Sequence, residues 1–221
     1  MSEAAQLALS LHCDEGIGSV ERALRVRGVS ATVGVDEAGR GPLAGPVVVA
    51  AVRLPLGDLE WTAGLDDSKR LTEAARERWY DEIAERLEHA VVAITPREID
   101  ELNILGATLE GMRRAAEGLT PRDGEEVLVD GKTPIPALGH PQRCLVGGDR
   151  RSIAVAAASV LAKVTRDREM RSLDERFPDY GFARHKGYPT AAHLAALQRV
   201  GPCEAHRRSF GPVRAMLGTR Q

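Results

Sequence analysis

Asp36 and Glu37 close an apolar, β-branched stretch (residues 31–35), Asp130 closes another (126–129), and Asp149 follows a third (143–147) with only Gly148 between. Each stretch reads as a strand, which puts four carboxylates at or near strand C-termini. In open α/β sheets ligands gather at those ends, so acids far apart in the chain can converge there. A cluster of carboxylates without histidine or cysteine suits a hard, oxygen-preferring cation, Mg²⁺ or Mn²⁺. Such a cluster repels itself unless metal is bound. Neighbours in a strand point to opposite faces, so Glu37 is expected where the strand already turns into the glycine-rich segment 39–45. For Asp130, followed by Gly131, a turn role and a metal-ligand role fit the pattern equally. Asp123, before Gly124, reads as a turn.

The elements that must present these acids follow from pattern and punctuation. Residues 31–36 and 45–53 read as strands joined by a compact Gly/Pro connection, hence an antiparallel pair. A charged amphipathic helix is expected from 71–72 to about 88, with Thr72 as N-cap. A strand over 90–95 is stopped by Pro96, and a helix or helix pair follows over 97–117. Strands over 126–130 and 143–147 precede a long helix, capped by Ser152, that runs to about 176. Its alanines (Ala154, Ala156, Ala157, Ala158, Ala162) let it lie close on a sheet. Residues 177–221 form a Pro/Gly-punctuated helical region, and residues 1–30 a peripheral helical extension turning at 16–18. The expected architecture is a single α/β domain over 31–221 with a mixed sheet of about five strands.

Composition excludes several classes. Hydrophobic residues make up 43% and charged residues 28%, the balance of an ordinary globular protein. No apolar run is long enough to span a bilayer, and the acidic N-terminus does not resemble a signal peptide, so a cytoplasmic protein is expected. Cys13, Cys144 and Cys203 are too scattered for a disulfide framework or zinc site. The net charge of −2 conceals an asymmetry: residues 1–130 carry 14 Lys and Arg against 25 Asp and Glu, residues 131–221 carry 16 against 7. The basic C-terminal part has the footprint expected for phosphate contacts. Phosphate-loop patterns fail: Gly34–Arg40 lacks the Lys-Ser/Thr of a P-loop, and Gly39, Gly41 and Gly45 have the wrong spacing for a dinucleotide site.

The run GVDEAGRGPLAGPVVVAAV (34–52) closely resembles the opening motif of the ribonuclease HII family. LDDSK (65–69), VDG (129–131), GD (148–149), AASVLAKVTRD (157–167), GYPT (187–190) and HRRSF (206–210) match further motifs of that family in order. The resemblance implies a ribonuclease H-like fold, a mixed five-stranded sheet flanked by helices, with a C-terminal helical region from about 177. It implies an endoribonuclease that hydrolyses the RNA strand of RNA–DNA hybrids and cuts 5′ of ribonucleotides embedded in duplex DNA. The implied mechanism is two-metal, with Mn²⁺ or Mg²⁺ and with 5′-phosphate and 3′-hydroxyl products. The family's four catalytic, metal-binding acids map onto Asp36, Glu37, Asp130 and Asp149, with Asp36 the expected shared ligand. Its substrate-binding positions map onto Gly39, Arg40, Gly41, Ser68, Lys69 and Tyr188. A bare glycine backbone can approach the 2′-OH, the group that separates RNA from DNA, and an aromatic ring under the neighbouring sugar favours the deoxyribose side. Asp167, four residues after Lys163, is expected to form an i,i+4 ion pair instead of a fifth ligand. The motif gives His206–Phe210 no physical role.

Two other readings share parts of this pattern. A junction resolvase-type nuclease of the same fold would use the acids but not a 2′-OH sensor, and would cut all-DNA substrates. A non-catalytic hybrid-binding module would need the basic C-terminal part but not the acids. With no heptad seam in the sequence, a monomer is expected.

Overall fold

The computed structural model describes residues 16–218. Five strands form one sheet in the order β3-β2-β1-β4-β5, comprising β1 (Ala31–Ala38), β2 (Val47–Pro55), β3 (His89–Ile94), β4 (Glu126–Asp130) and β5 (Gln142–Leu145). The three consecutive strands β1, β2 and β3 pair antiparallel, while β4, reached through a helix, adds parallel to β1, and β5, reached by a loop, adds parallel to β4. This is the mixed five-stranded sheet that the motif order implies. The part of the N-terminal extension before residue 16 lies outside the described residues.

Helices cover both faces. On one face lies α3 (Pro96–Gly118), which packs Ala107, Met112 and Ala115 against Val33, Val35, Val127 and Val129. It begins with a capping box between Thr95 and Glu98, and is in effect two helices broken at Asn103 (φ 58°, ψ 168°). The Asn103 side chain restarts the second half by accepting from the N–H groups of Leu105 and Gly106. Across the other face runs α4 (Ile153–Arg176), with Ser152 accepting from the Val155 N–H as its N-cap. Its alanines permit the close approach expected of them: a Cβ on Gly34 of β1 would stand 2.1 Å from the Ala154 carbonyl carbon. Outside α4 packs α2 (Glu73–Arg86), capped by Thr72 as expected.

The extension is represented by α1 (Ser19–Val26), whose Val20 and Leu24 join the core beneath α4. Its buried Glu21 carboxylate accepts from the Ser152 hydroxyl (2.6 Å) and the Ala154 N–H (3.2 Å). An acid at a helix N-terminus satisfies free N–H groups and opposes the helix dipole. The C-terminal region forms three short helices, α5 (Phe182–His185), α6 (Ala191–Val200) and α7 (Gly211–Gly218). No helix among the described residues is long and apolar enough to cross a membrane.

Candidate active site

The four acids meet at the C-terminal ends of β1 and β4 and just after β5. Strand β1 does not turn at Glu37, contrary to expectation: its ladder with β2 continues to Ala38, with Glu37 opposite Val49. Asp36 therefore shares the α4 face with Gly34, and Glu37 shares the α3 face with Val35. In β4 the same alternation puts Asp130 on the α4 side with Leu128. The site thus straddles the end of the sheet, and Glu37 borders two clefts. One is lined by Gly39, Ser68, Lys69, Ser159, Lys163 and Tyr188, the other by Arg40, Leu105, Asp130 and Lys132. Asp149 arrives on a 3-10 turn (Gly148–Arg150) placed by the left-handed Gly147 (φ 63°). This turn is locked to β4 because the Gly148 N–H donates to the Asp130 carboxylate at 2.8 Å.

The electrostatics are those of a strained anionic cluster. Burial, then the charges of Glu37 and Asp130, push the Asp36 carboxyl well above the usual carboxylate range, against hydrogen bonds from Ser159 and the Glu37 N–H. Burial also raises Glu37, with Arg40 opposing, and raises Asp149, where Asp67 adds to the effect and Lys69 opposes it. Lys69 reaches Asp149 at 3.4 Å, and Arg40 reaches Glu37 at the same distance. Although its own partial burial works the other way, Lys69 is held above its ordinary pKa by Asp149, Asp67 and Asp36. Among the described residues no three acids, histidines or cysteines stand ready-made around a metal position; the carboxylates are turned onto these cations and onto backbone N–H groups. The donor set is nevertheless oxygen-only and self-repelling. Such a donor set fits a hard divalent cation, which the side chains would have to turn to hold.

The glycine-rich loop lies beside the acids. Gly39 adopts φ 99°, and a Cβ there would fall 1.9 Å from Arg166 Nε, so side chains are excluded on both counts. A Cβ on Gly41 would be 3.4 Å from the Tyr188 ring, and Tyr188 is 46% exposed although it is a large aromatic residue. Gly39, Arg40, Gly41, Ser68, Lys69 and Tyr188 are thus brought to the same end of the sheet as the acids. Asp167 pairs with Lys163 at 2.7 Å, the i,i+4 contact expected for it.

Sequence reasoning missed four residues. Ser159 touches Asp36 and shares a 2.9 Å hydrogen bond with Ser68; the available signal was a single hydroxyl within an otherwise apolar helical run. Asp67 accepts from the Lys69 N–H at 2.9 Å and shapes that turn. Arg166 and Arg207, both fully buried, bind the loop from beneath through backbone carbonyls. Arg207 donates to Gly39, Arg40, Gly45 and Pro46, and Arg166 to Ala44, Pro46 and Lys186. The HRRSF segment thereby gains a structural role through Arg207.

Comparison with known proteins identifies the family. The family model of ribonuclease HII matches residues 33–213. This chain belongs to the ribonuclease HII family. It is 54% identical over 206 residues to ribonuclease HII of Nocardia farcinica, covering 93% of this chain and 81% of that protein. Against ribonuclease HII of Geobacillus thermodenitrificans it is 52% identical, covering 90% and 76%. Among solved structures, ribonuclease H2 of Pyrococcus horikoshii superposes with a TM-score of 0.72 at 27% identity, covering 86% of this chain and 98% of that one. Ribonuclease HII of Archaeoglobus fulgidus, solved with PCNA, gives 0.70 at 28% identity, covering 81% and 95%. Membership of the ribonuclease HII family makes the chain a hydrolytic endoribonuclease acting on RNA-containing nucleic acid, and the resolvase-type and non-catalytic readings are not favoured.

Proposed function

We propose that this ribonuclease HII family member cuts the RNA strand of RNA–DNA hybrids, and cuts 5′ of single ribonucleotides in duplex DNA, using Mg²⁺ or Mn²⁺ held by Asp36, Glu37, Asp130 and Asp149. The observation that carries this reading is the juxtaposition of the four carboxylates with the bare Gly39-Arg40-Gly41 backbone and the Tyr188 ring. When bound, such ions activate a water for attack on phosphorus and stabilise the leaving 3′ oxygen. The chain's own part is positional. Buried Asp36, held by the Glu37 N–H and Ser159, would be a ligand of the metal.

The Gly39–Gly41 backbone reads the 2′-OH, and Tyr188 stacks under the following sugar, which favours a deoxyribose there. Lys69, with Ser68 beside it, would contact a substrate phosphate, for which Lys69 would have to give up its 3.4 Å contact with Asp149. Catalysis belongs to residues 31–221, including the helical region from about 177, with residues 1–30 an appended extension, in a monomeric cytoplasmic protein.

The test is incubation with Mg²⁺ or Mn²⁺ and two labelled duplexes, one all DNA and one with a single ribonucleotide. Cleavage of the second alone, on the 5′ side of the ribonucleotide, leaving 5′-phosphate and 3′-hydroxyl ends and abolished by chelator, is expected. Cleavage of both duplexes would overturn the 2′-OH reading, and cleavage unaffected by chelator would overturn the metal reading.

A further inference from the structure

Behind Tyr188 lie three histidines. His193 and His206 are fully buried, and His185 stacks on His193 with ring centroids 4.5 Å apart. Each of their ring nitrogens has a partner, and the backbone groups at the ends of the chain decide which nitrogen carries the proton. The Cys203 N–H can only donate, and it donates to His206 Nδ1 at 3.1 Å. His206 therefore carries its proton on Nε2, which stands 3.0 Å from His193 Nε2. That nitrogen must accept, so His193 is protonated on Nδ1, 2.9 Å from the Tyr188 carbonyl, which can only accept. His185 is fixed in the same way: its Nδ1 accepts from the Gly187 N–H (3.2 Å) and its Nε2 donates to the Tyr180 carbonyl (2.8 Å). A second proton on any of the three would turn an accepting nitrogen towards a donor. Burial lowers His193 and, reinforced by His193, pushes His206 down to about 4, in keeping with neutral rings.

The network grips one dipeptide. His185 holds the Gly187 N–H, while His193 and the Thr190 N–H hold the Tyr188 carbonyl. On its other side the Gly187 carbonyl accepts from Leu43 at 2.8 Å, and a Cβ on Gly187 would stand 2.5 Å from the Ala44 oxygen. The backbone of the dipeptide is therefore pinned between the histidines and the glycine-rich loop, while the Tyr188 ring projects half-exposed beside Gly41.

We propose that His185, His193 and His206 are positioning residues that, as neutral rings of fixed tautomer, set the place of the Tyr188 ring relative to the glycine-rich loop and so govern preference for embedded ribonucleotides. This rests on the reading of Tyr188 as the residue that selects the junction.

The experiment measures kcat/KM on a duplex with a single ribonucleotide and on a continuous RNA–DNA hybrid, for the wild type, Tyr188→Ala, His193→Phe and His193→Asn. Misfolding lowers both values together and leaves their ratio unchanged; displacement of Tyr188 lowers the ratio. His193→Phe removes the donor to Tyr188 and lowers the ratio about fivefold, the factor one lost hydrogen bond is worth. His193→Asn keeps an N–H near the position of Nδ1 and retains the wild-type ratio. Nitrogen-15 NMR of the wild type at neutral pH shows His193 as the Nδ1–H tautomer and His206 as the Nε2–H tautomer, a readout independent of any variant's folding. An unchanged ratio in His193→Phe beside a lowered one in Tyr188→Ala, or the opposite tautomer at His193, overturns the proposal. An unchanged ratio in Tyr188→Ala overturns the reading of Tyr188 itself, and the role of the histidines falls with it.

Discussion

Replacing Arg207 with Met tests whether the glycine-rich loop is held from beneath. The guanidinium donates to the carbonyls of Gly45 (3.0 Å), Arg40 (2.9 Å), Gly39 (2.6 Å) and Pro46 (3.1 Å). Bonds from a charged donor contribute about 1.5–3 kcal/mol each, so four amount to roughly 6–12 kcal/mol. Against this stands the desolvation of a buried cation, several kcal/mol even after relaxation. Arg166 adds to it: after burial, its charge is the next cause pushing Arg207 down to about 9. A net loss of about 3–5 kcal/mol is expected as the difference between these opposing contributions. Urea denaturation followed through the fluorescence of Trp61 and Trp79 measures it as a fall in midpoint at unchanged slope. Arg207→Lys keeps the charge but lacks the planar fork, so it should lie between the two. Arg207→Met should also cut cleavage at an embedded ribonucleotide at least about tenfold, the effect of roughly 1.4 kcal/mol of lost positioning. A loss below about 1 kcal/mol, within reach of an ordinary single hydrogen bond, would refute the idea that these four contacts hold the loop.

Asp36→Asn should abolish cleavage yet raise the stability of the metal-free protein, because it removes a buried charge from among its like neighbours; an unchanged or lowered denaturation midpoint would contradict the self-repulsion argument. A carboxyl whose folded pKa is raised binds more protons in the folded state, so Asp36, Glu37 and Asp149 make the metal-free protein less stable as pH rises from the ordinary carboxylate range through their raised values; added Mg²⁺ should reverse that loss in a thermal scan. His206 has the opposite slope. Its folded pKa of about 4 lies below the ordinary 6.5, so the unfolded chain takes up a proton first, and stability falls as pH drops from about 6.5 to about 4. The loss attributable to it is at most about 3.4 kcal/mol and should vanish in His206→Asn, read by urea titrations across that window. Gly39→Ala should cost about 1–3 kcal/mol by overpacking against Arg166, with cleavage at embedded ribonucleotides lost before the fold, as circular dichroism and the duplex assay together would report.

Self-repulsion at the strand ends contrasts with the care taken around the site. Neutral histidines, buried arginines and the buried Glu21 at the N-terminus of α4 all fix backbone, so that the groups meeting substrate inherit their positions from rigid supports. The C-terminal region contributes to the site mainly in this way, through carbonyls and N–H groups of the loop it encloses. The basic excess of residues 131–221 therefore divides into surface cations and two arginines, Arg166 on α4 and Arg207 in the C-terminal region, that never reach solvent.

Local pattern by itself determined the strands, the caps at Thr72 and Ser152, the close approach of α4 through its alanines, and the four acids as a group, because periodicity, capping and strand ends are properties of neighbouring residues. The ordered motifs gave the family. Only the tertiary structure decided how Asp36 and Glu37 reach one site from opposite faces, since the ladder runs on to Ala38 and the two acids border the site at the end of the sheet from either side. It alone decided that Arg207 and Arg166, which read as surface charge in a basic segment, are buried beneath a loop more than 100 residues away. Contacts of that separation depend on which surfaces meet when the chain closes. No local rule of helix or strand carries that information, and for the same reason the histidines behind Tyr188 look unremarked in the sequence and acquire partners only in the fold.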